Sequence, residues 1–169
     1  MVSPSPILTV CLIALAWPSM ALAEASCPAE QPRVMFSCTT RTHEQIRLCG
    51  SADLSQPEAR LVLTITGADG KALVHLGEQA HPGQLFAGNQ LAGGTMSLSY
   101  MRYRDGVQEF VMMSGHDPTN SLAAVGHLQG GSKSTVWWRC GDVWTSELGP
   151  PLFVEARMAV DPTLGDMPP

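Results

Sequence analysis

Three residue types that make up a nucleophilic triad occur together in one short stretch of the chain. Ser114, His116 and Asp117 supply a hydroxyl, an imidazole and a carboxylate. A triad needs the imidazole between the other two side chains in space, which neighbours within one loop rarely achieve. The chain also contains no G-x-S-x-G nucleophile elbow. The stretch therefore indicates a turn capped by Asp117, and a hydrolase of the cell envelope is kept as an alternative function.

Basic and aromatic side chains form a second group that could bind a ligand. Arg102 and Tyr103 lie in a run of alternating tyrosine and arginine just before an Asp-Gly pair. A guanidinium group can grip a carboxylate, and an aromatic ring can stack on a sugar. We predict Arg102 and Tyr103, together with Ser114 and His116 of the following segment, as binding residues. The alternative is a solvated strand face without a ligand.

Two adjacent tryptophans are the third candidate. Trp137 and Trp138 are neighbours on a predicted strand, so their side chains point to opposite faces. If one ring fills the core, the other is exposed and can serve as an aromatic anchor for a partner. The alternative is that a C-terminal segment containing Trp144, Leu152 and Phe153 covers it.

Metal, cofactor and nucleic-acid binding are not expected. The five histidines are scattered without ligand spacing, and the cysteines form no C-x-x-C pair. We therefore predict no metal site and no cofactor. The formal net charge is −5 and basic residues form no run, which argues against a nucleic-acid or anionic-membrane surface.

The N-terminal segment has the pattern of a secretory signal peptide. Ile7–Trp17 is apolar but too short to span a bilayer, and Ala21-Leu22-Ala23 forms a small-residue cleavage site. We predict cleavage after Ala23, a mature protein that is secreted or periplasmic, and no membrane span once the signal is removed.

The cysteines that remain after cleavage predict a disulfide framework. Cys27, Cys38, Cys49 and Cys140 would lie in an oxidising compartment. Four cysteines allow three connectivities. Cys38 and Cys49 flank a predicted hairpin and could face each other, whereas a Cys38–Cys140 bond would close a long loop from the first strand to the last.

Short alternating runs separated by turn sequences predict the elements that must position these residues. They indicate about eight short strands in an all-β, disulfide-stapled domain, either a small antiparallel barrel or a sandwich. We expect residues 1–23 to be the signal peptide, residues 24–148 to be one β domain, and residues 149–169 to be a Pro-rich tail.

One hairpin is predicted in detail. A two-residue turn at Asp105-Gly106 places Arg102 opposite Glu109 as a cross-strand ion pair. The apolar phase changes near Tyr100, which predicts a bulge or a strongly bent strand there. The acids Asp105 and Glu109 could serve the alternative hydrolase, but their positions favour turn and ion-pair roles. The residues that this register places on one face are Met101, Tyr103, Phe110 and Met112.

The first two predicted strands resemble a known signature. Val34–Thr40 followed by Gln45–Cys49 is similar to the F-S-C-T-T…x-I-x-x-C pattern of small secreted bacterial proteins. Cys27, the hairpin and Cys140 match the layout of that family. The resemblance implies a β-rich secreted or periplasmic protein and implies no activity.

A fainter similarity connects the chain with the membrane-bound and periplasmic inhibitors of c-type lysozyme. It is carried by Phe36-Ser37-Cys38, by Tyr103–Gly106, by Phe110 and by Ser114-Gly115. This resemblance implies a non-enzymatic binding protein whose rigid loop enters the cleft of a lysozyme-like partner. The partner would otherwise be another envelope component, and the remaining alternative is a structural envelope protein with no discrete site.

Overall fold

The computed structural model describes residues 26–129 and 133–162. The predicted signal peptide, residues 130–132 and the end of the predicted tail lie outside the described residues. Within the described ranges, no helix is long and apolar enough to cross a membrane.

The described residues form ten strands and two short helices. The strands are β1 (Arg33–Thr40), β2 (Gln45–Gly50), β3 (Leu61–Thr66), β4 (Ala72–Leu76), β5 (Phe86–Gly93), β6 (Met96–Arg104), β7 (Glu109–His116), β8 (Ser121–Gln129), β9 (Lys133–Ser146) and β10 (Ala159–Val160). The helices are α1 (Pro82–Leu85) and α2 (Pro150–Glu155).

All ten strands belong to one curled sheet that resembles half of a barrel. The spatial order is β10-β5-β6-β7-β8-β9-β1-β2-β3-β4. Every pair in this order is antiparallel except β10 with β5, which is parallel. The predicted all-β antiparallel fold is confirmed, with ten strands in place of about eight.

The long strand β9 changes its partner along its length. Its first part pairs with β8 as far as Ala124 opposite Arg139. Its last part pairs instead with β1, from Thr40 opposite Cys140 to Phe36 opposite Ser146. One strand therefore joins the two halves of the sheet, and the change of partner falls between Arg139 and Cys140.

The larger hydrophobic core joins both halves of the sheet and the C-terminal helix. Phe36 of β1, Leu63 of β3 and Phe110 of β7 are buried in it, and α2 adds Leu152 and Phe153. Residues 149–162 of the predicted tail thus pack against the sheet as part of the domain. Pro150 stands in the first turn of α2, where proline's fixed φ favours the helix and its missing N–H costs nothing.

A smaller core lies on the opposite face of the central strands. It contains Tyr100, Val111 and Met113, with Trp137 packed against it. Both faces of β6 are therefore buried, which explains the change in apolar phase near Tyr100. Of the two predicted alternatives, the bulge is wrong, because β6 pairs with β7 without a register shift.

The predicted two-residue turn between β6 and β7 is also wrong. Arg104 lies opposite Glu109, so the connection runs from Asp105 to Gln108. Asp105 Oδ1 accepts hydrogen bonds from the backbone N–H groups of Val107 and Gln108 at 2.8 and 2.7 Å. The register differs from the prediction by two residues, and because side chains alternate with a period of two, the predicted face is unchanged. Met101, Tyr103, Phe110 and Met112 all belong to the larger core, as predicted.

Two disulfides cross-link the part of the sheet formed by β9, β1 and β2. Cys27 is bonded to Cys49, and Cys38 is bonded to Cys140. The prediction of two disulfides is confirmed, and the long-loop alternative is the one observed. The hairpin pairing is wrong because Cys38 lies opposite Ile46, whereas Cys49 lies further along β2. Such bonds fit an oxidising compartment.

Candidate functional site

The predicted binding residue Arg102 is buried in an ion-pair network. Its side chain is 3% exposed. Its Nε donates to Asp161 Oδ2 at 2.6 Å, and its Nη1 donates to Glu109 Oε1 at 2.7 Å. Burial opposes the charge, but the hydrogen bonds to the two carboxylates outweigh it and raise the pKa of Arg102. The guanidinium group is therefore paired inside the protein and is not accessible to a binding partner.

Tyr103 is also inside the protein, with an exposure of 0%. Its hydroxyl donates to Asp105 Oδ2 at 3.0 Å and accepts from Gln79 Nε2 at 3.0 Å. Its ring packs against Phe86, with ring centroids 5.2 Å apart. Burial, followed by the bond to Asp105, raises the pKa of Tyr103 to about 12. This tyrosine therefore fixes the hairpin loop to the core.

Ser114 and His116 lie on the same face of β7 but differ in exposure. Ser114 is buried, and its Oγ is 2.7 Å from Ser146 Oγ. His116 is exposed, and its ring stacks on Trp144 with centroids 5.2 Å apart. Its Nδ1 is also 2.9 Å from Ser121 Oγ. Of these two predicted site residues, only His116 stands at the surface.

The two adjacent tryptophans lie on opposite faces of the sheet, as their spacing predicts. Trp138 packs against the larger core, where its ring lies 6.5 Å from that of Phe110. Trp137 packs on the smaller core over Gly126, where a Cβ would approach the indole ring to 2.6 Å. Both rings are half-buried, so neither projects freely as an anchor.

The acids considered for a hydrolase have structural partners. Asp117 accepts hydrogen bonds from the Thr119 hydroxyl and from backbone N–H groups of its own turn, which lower its pKa. Backbone N–H donors at Gln108 and Val107 likewise lower the pKa of Asp105. Glu109 Oε1 accepts from both Arg102 and Arg104. These contacts agree with turn and ion-pair roles.

The structure contains a cleft that is lined by none of the predicted binding residues. It lies where β8 and β9 separate and has a volume of about 530 Å³. Its walls come from the start of β8, the middle of β9 and the turn between β1 and β2. The lining residues are Arg41, Thr119, Asn120, Ser121, Leu122, Ala123, Arg139, Cys140, Gly141, Asp142 and Trp144. We call this feature the strand-divergence cleft.

The cleft results from the change of partner of β9. The β8–β9 ladder in the described chain ends at Ala124 opposite Arg139, and from Cys140 onward β9 pairs with β1 on its other edge. The start of β8 stays paired with β7, through Ser121 opposite His116. The two strands therefore move apart, because each follows its other neighbour.

Two arginines give the cleft its charge. Arg41 lies in the β1–β2 turn and Arg139 lies on β9, and both are exposed. Neither guanidinium has a hydrogen-bond or ion-pair partner among the residues that the structure describes. The one acid in the lining is Asp142. The cleft therefore presents two accessible cations and one carboxylate to solvent.

One wall of the cleft is held in place by covalent and aromatic contacts. Cys140 lines the cleft and is bonded to Cys38 of β1, which anchors β9 just after Arg139. Trp144 also lines the cleft, and the ring of His116 stacks on it. His116 is therefore a predicted binding residue that contacts the lining of the cleft. A ligand entering the cleft would thus meet a fixed surface.

Sequence reasoning missed Arg41, Arg139 and Trp144 as a group. They come from separate segments, and only the pairing of β1 with the second part of β9 brings these segments together. Individually they are ordinary residues beside a cysteine or a turn. The one available signal was the Cys38–Cys140 alternative, which joins the strand that precedes Arg41 to the strand that carries Arg139.

Within residues 26–129 and 133–162, no group of three or more His, Cys, Asp or Glu side chains is placed to hold a metal ion. The lining of the strand-divergence cleft instead suits an organic or inorganic anion, since guanidinium groups bind carboxylates and phosphates through paired N–H donors. No protein-family model, curated protein or solved structure matches the chain.

Proposed function

We propose that this chain is a secreted or periplasmic binding protein that acts without catalysis, and that an anionic ligand occupies the strand-divergence cleft. The observation that carries the proposal is the pair Arg41 and Arg139, two cations without a partner in the described chain, at one cleft of about 530 Å³. A guanidinium is weakly hydrated and matches carboxylate or phosphate oxygens in a planar fork.

The lining of the cleft favours binding over hydrolysis. Glycoside hydrolysis uses two carboxyl groups, and acyl transfer uses a nucleophile with an adjacent base. The described lining holds one acid, Asp142, and no histidine. His116 does not line the cleft; it stacks on Trp144, and its Nδ1 is 2.9 Å from Ser121 Oγ, which suits support of the wall better than proton transfer.

The extracytoplasmic location rests on two independent features. The two disulfides fit an oxidising compartment, and the segment up to Ala23 has the pattern of a cleaved signal. The full chain is expressed beside a second protein that is known to be exported. We expect a mature N-terminus at Glu24 and no free thiol among the four remaining cysteines. Mass spectrometry that finds four free thiols in exported protein would contradict the proposal.

Binding at the cleft is tested by calorimetric titration of the oxidised protein with succinate, inorganic phosphate and galacturonate. We expect at least one of these anions to bind, and we expect Arg41→Gln and Arg139→Gln each to weaken binding by about tenfold or more. Arg157→Gln is the matched control, since Arg157 is exposed and does not line the cleft. Equal loss in all three variants would indicate a general charge effect, and no binding by the wild type would refute the proposal.

A protein partner of the lysozyme type is examined in a separate assay. The Ser114-Gly115 pair behind that resemblance lies within β7, and both residues are buried. A lysozyme would therefore have to contact another surface, and the cleft is the site we propose for it. Titration into a c-type lysozyme lysis assay should then show inhibition that Arg41→Gln and Arg139→Gln reduce. Inhibition that both variants retain would place the partner surface elsewhere.

A further inference from the structure

We infer that the ligand of the strand-divergence cleft is an extended peptide segment bearing a carboxylate, which pairs its backbone with the open strand edges that line the cleft. This inference rests on the proposed function, because it assigns a ligand class to the same site. The ligand would then be recognised by backbone pairing as well as by its charge.

The strand edges that face the cleft have no ladder partner in the described chain. On β8, residues 121–123 pair with β7 on one edge, and the β8–β9 register does not include them. On β9, Cys140 and residues 144–146 pair with β1 on one edge, with a register shift between them, and no described strand pairs with the other edge of residues 140–146. A strand edge presents unpaired N–H and C=O groups, and an extended chain is the ligand that matches their spacing.

Two neighbouring residues of β8 that point to opposite faces both line the cleft, which supports an opening between the strands. Ala123 belongs to the larger core, whereas Leu122, its neighbour on β8, points to the other side and is 40% exposed. Both line the cleft. A ligand seated there is consequently in reach of the backbone as well as the side chains of β8.

Charge and length set the character of the peptide. Arg41 and Arg139 exceed the single acid Asp142 by one charge, which favours an acidic segment. The separated part of β8, residues 121–123, spans about 10 Å at roughly 3.4 Å per residue. That length accommodates a segment of about three extended residues, with one or two carboxylates placed to reach the arginines.

The test uses the oxidised full mature protein and three synthetic probes. The first is acetyl-Thr-Glu-Val-Glu-Thr-amide, the second replaces both glutamates by glutamine, and the third carries N-methyl groups on the two glutamate nitrogens. We expect the first probe to bind, and each of the other two to bind about tenfold more weakly or worse. Amide hydrogen exchange at residues 121–123 and 140–142 should slow with the first probe only.

Each result separates this inference from the proposed function. If the N-methylated peptide binds as well as the first probe, backbone pairing is refuted while anion binding stands. If succinate or galacturonate binds and none of the peptides does, the peptide class is refuted and the anion site stands. If neither free anions nor peptides bind, both proposals fail. Arg41→Gln and Arg139→Gln should abolish the preference for glutamate over glutamine, and Arg157→Gln should preserve it.

Discussion

The guanidinium of Arg102 and the carboxylate of Asp161 form a direct ion pair, with Nε and Oδ2 only 2.6 Å apart across 59 residues of sequence. The backbone carbonyl of Asp161 also accepts hydrogen bonds from the Tyr100 hydroxyl and Asn89 Nδ2, at 2.9 and 3.0 Å. Side chains of β5 and β6 thus fix the residue that follows β10, and the C-terminal segment is locked to the sheet by buried polar contacts.

Breaking this pair should be costly. Asp161→Asn leaves the buried guanidinium without its nearest counter-charge, and we expect a loss of about 3–5 kcal/mol in the free energy of unfolding. Arg104→Gln is the matched control, because the Arg104–Glu109 pair is more exposed and should contribute less than about 1 kcal/mol. Urea denaturation measures both variants. Similar small losses in the two would show that Asp161 does not stabilise the buried charge.

Alanine substitutions at two glycines with positive φ can distinguish the cost of a steric clash from the cost of backbone strain. Gly77 has φ 107°, and a Cβ there would lie 2.0 Å from the carbonyl oxygen of Leu61. Gly70 has φ 80°, and no described heavy atom lies within 4 Å of its Cβ position. Gly70→Ala should cost about 1–2 kcal/mol for the left-handed conformation alone, and Gly77→Ala clearly more. Equal midpoints in urea would contradict the close approach of Leu61.

The two disulfides should differ in their contribution to stability. Cys38 and Cys140 are separated by 102 residues and Cys27 and Cys49 by 22. In the loop-entropy account, a bond closing about 100 residues contributes about 4.7 kcal/mol, and one closing about 15 residues about 3 kcal/mol. Replacing the Cys38–Cys140 pair by alanines should therefore lower the free energy of unfolding more than replacing the other pair.

The same double variants also report on the cleft. Cys140 lines it, whereas Cys27 and Cys49 do not, so loss of anion binding should accompany only the Cys38→Ala/Cys140→Ala protein. Calorimetry under conditions where both variants remain folded gives the comparison. Equal retention of binding would show that the bond does not hold the wall of the cleft.

Glu155 should make the protein sensitive to acid. Its side chain accepts hydrogen bonds from Arg33 and from the backbone N–H of Leu54, and these contacts lower its pKa from the ordinary value of 4.5. The folded-state pKa is thus below the unfolded one, so the stabilisation is present above about pH 4.5 and is lost as the pH falls through the folded pKa.

The comparison variant for this effect is Glu155→Gln, which should show a shallower decline in the free energy of unfolding between pH 7 and pH 3. Glu58→Gln is the control, since Glu58 is exposed and has no ion-pair partner in the described part of the chain. Urea titrations at each pH give the slopes. Identical slopes for wild type and Glu155→Gln would exclude this carboxylate as a source of acid sensitivity.

Local pattern was sufficient to predict much of the sheet. The alternation in Leu61–Thr66 and the apolar positions of the β6–β7 hairpin give the strands and the buried face, because side-chain direction depends only on a period of two. The turn chemistry at Asp105 was less decisive. Its side chain caps a longer loop through two backbone N–H groups, and the sequence Asp-Gly does not distinguish the two geometries.

The segments around β5 and α2 could not be predicted from local sequence, because each is stabilised by packing against the other. Residues 78–94 resemble a loop because they contain several glycines and prolines, but Gly88 provides the space in which Phe153 of α2 packs, at 2.7 Å from a Cβ position. Neither residue has a partner that local sequence reveals. The strand-divergence cleft was hidden for the same reason, because it depends on β9 exchanging β8 for β1.

The pairing of β1 with β9 also has a consequence for the oxidation of the chain. Chains emerge from the N-terminus first, so Cys27, Cys38 and Cys49 are present before Cys140, and Cys38 can reach its native partner only once Cys140 has emerged. Contacts at such long separation form slowly. The bond beside the cleft therefore requires nearly the whole domain to be present, and we expect ligand binding to identify molecules that have formed the native Cys38–Cys140 bond.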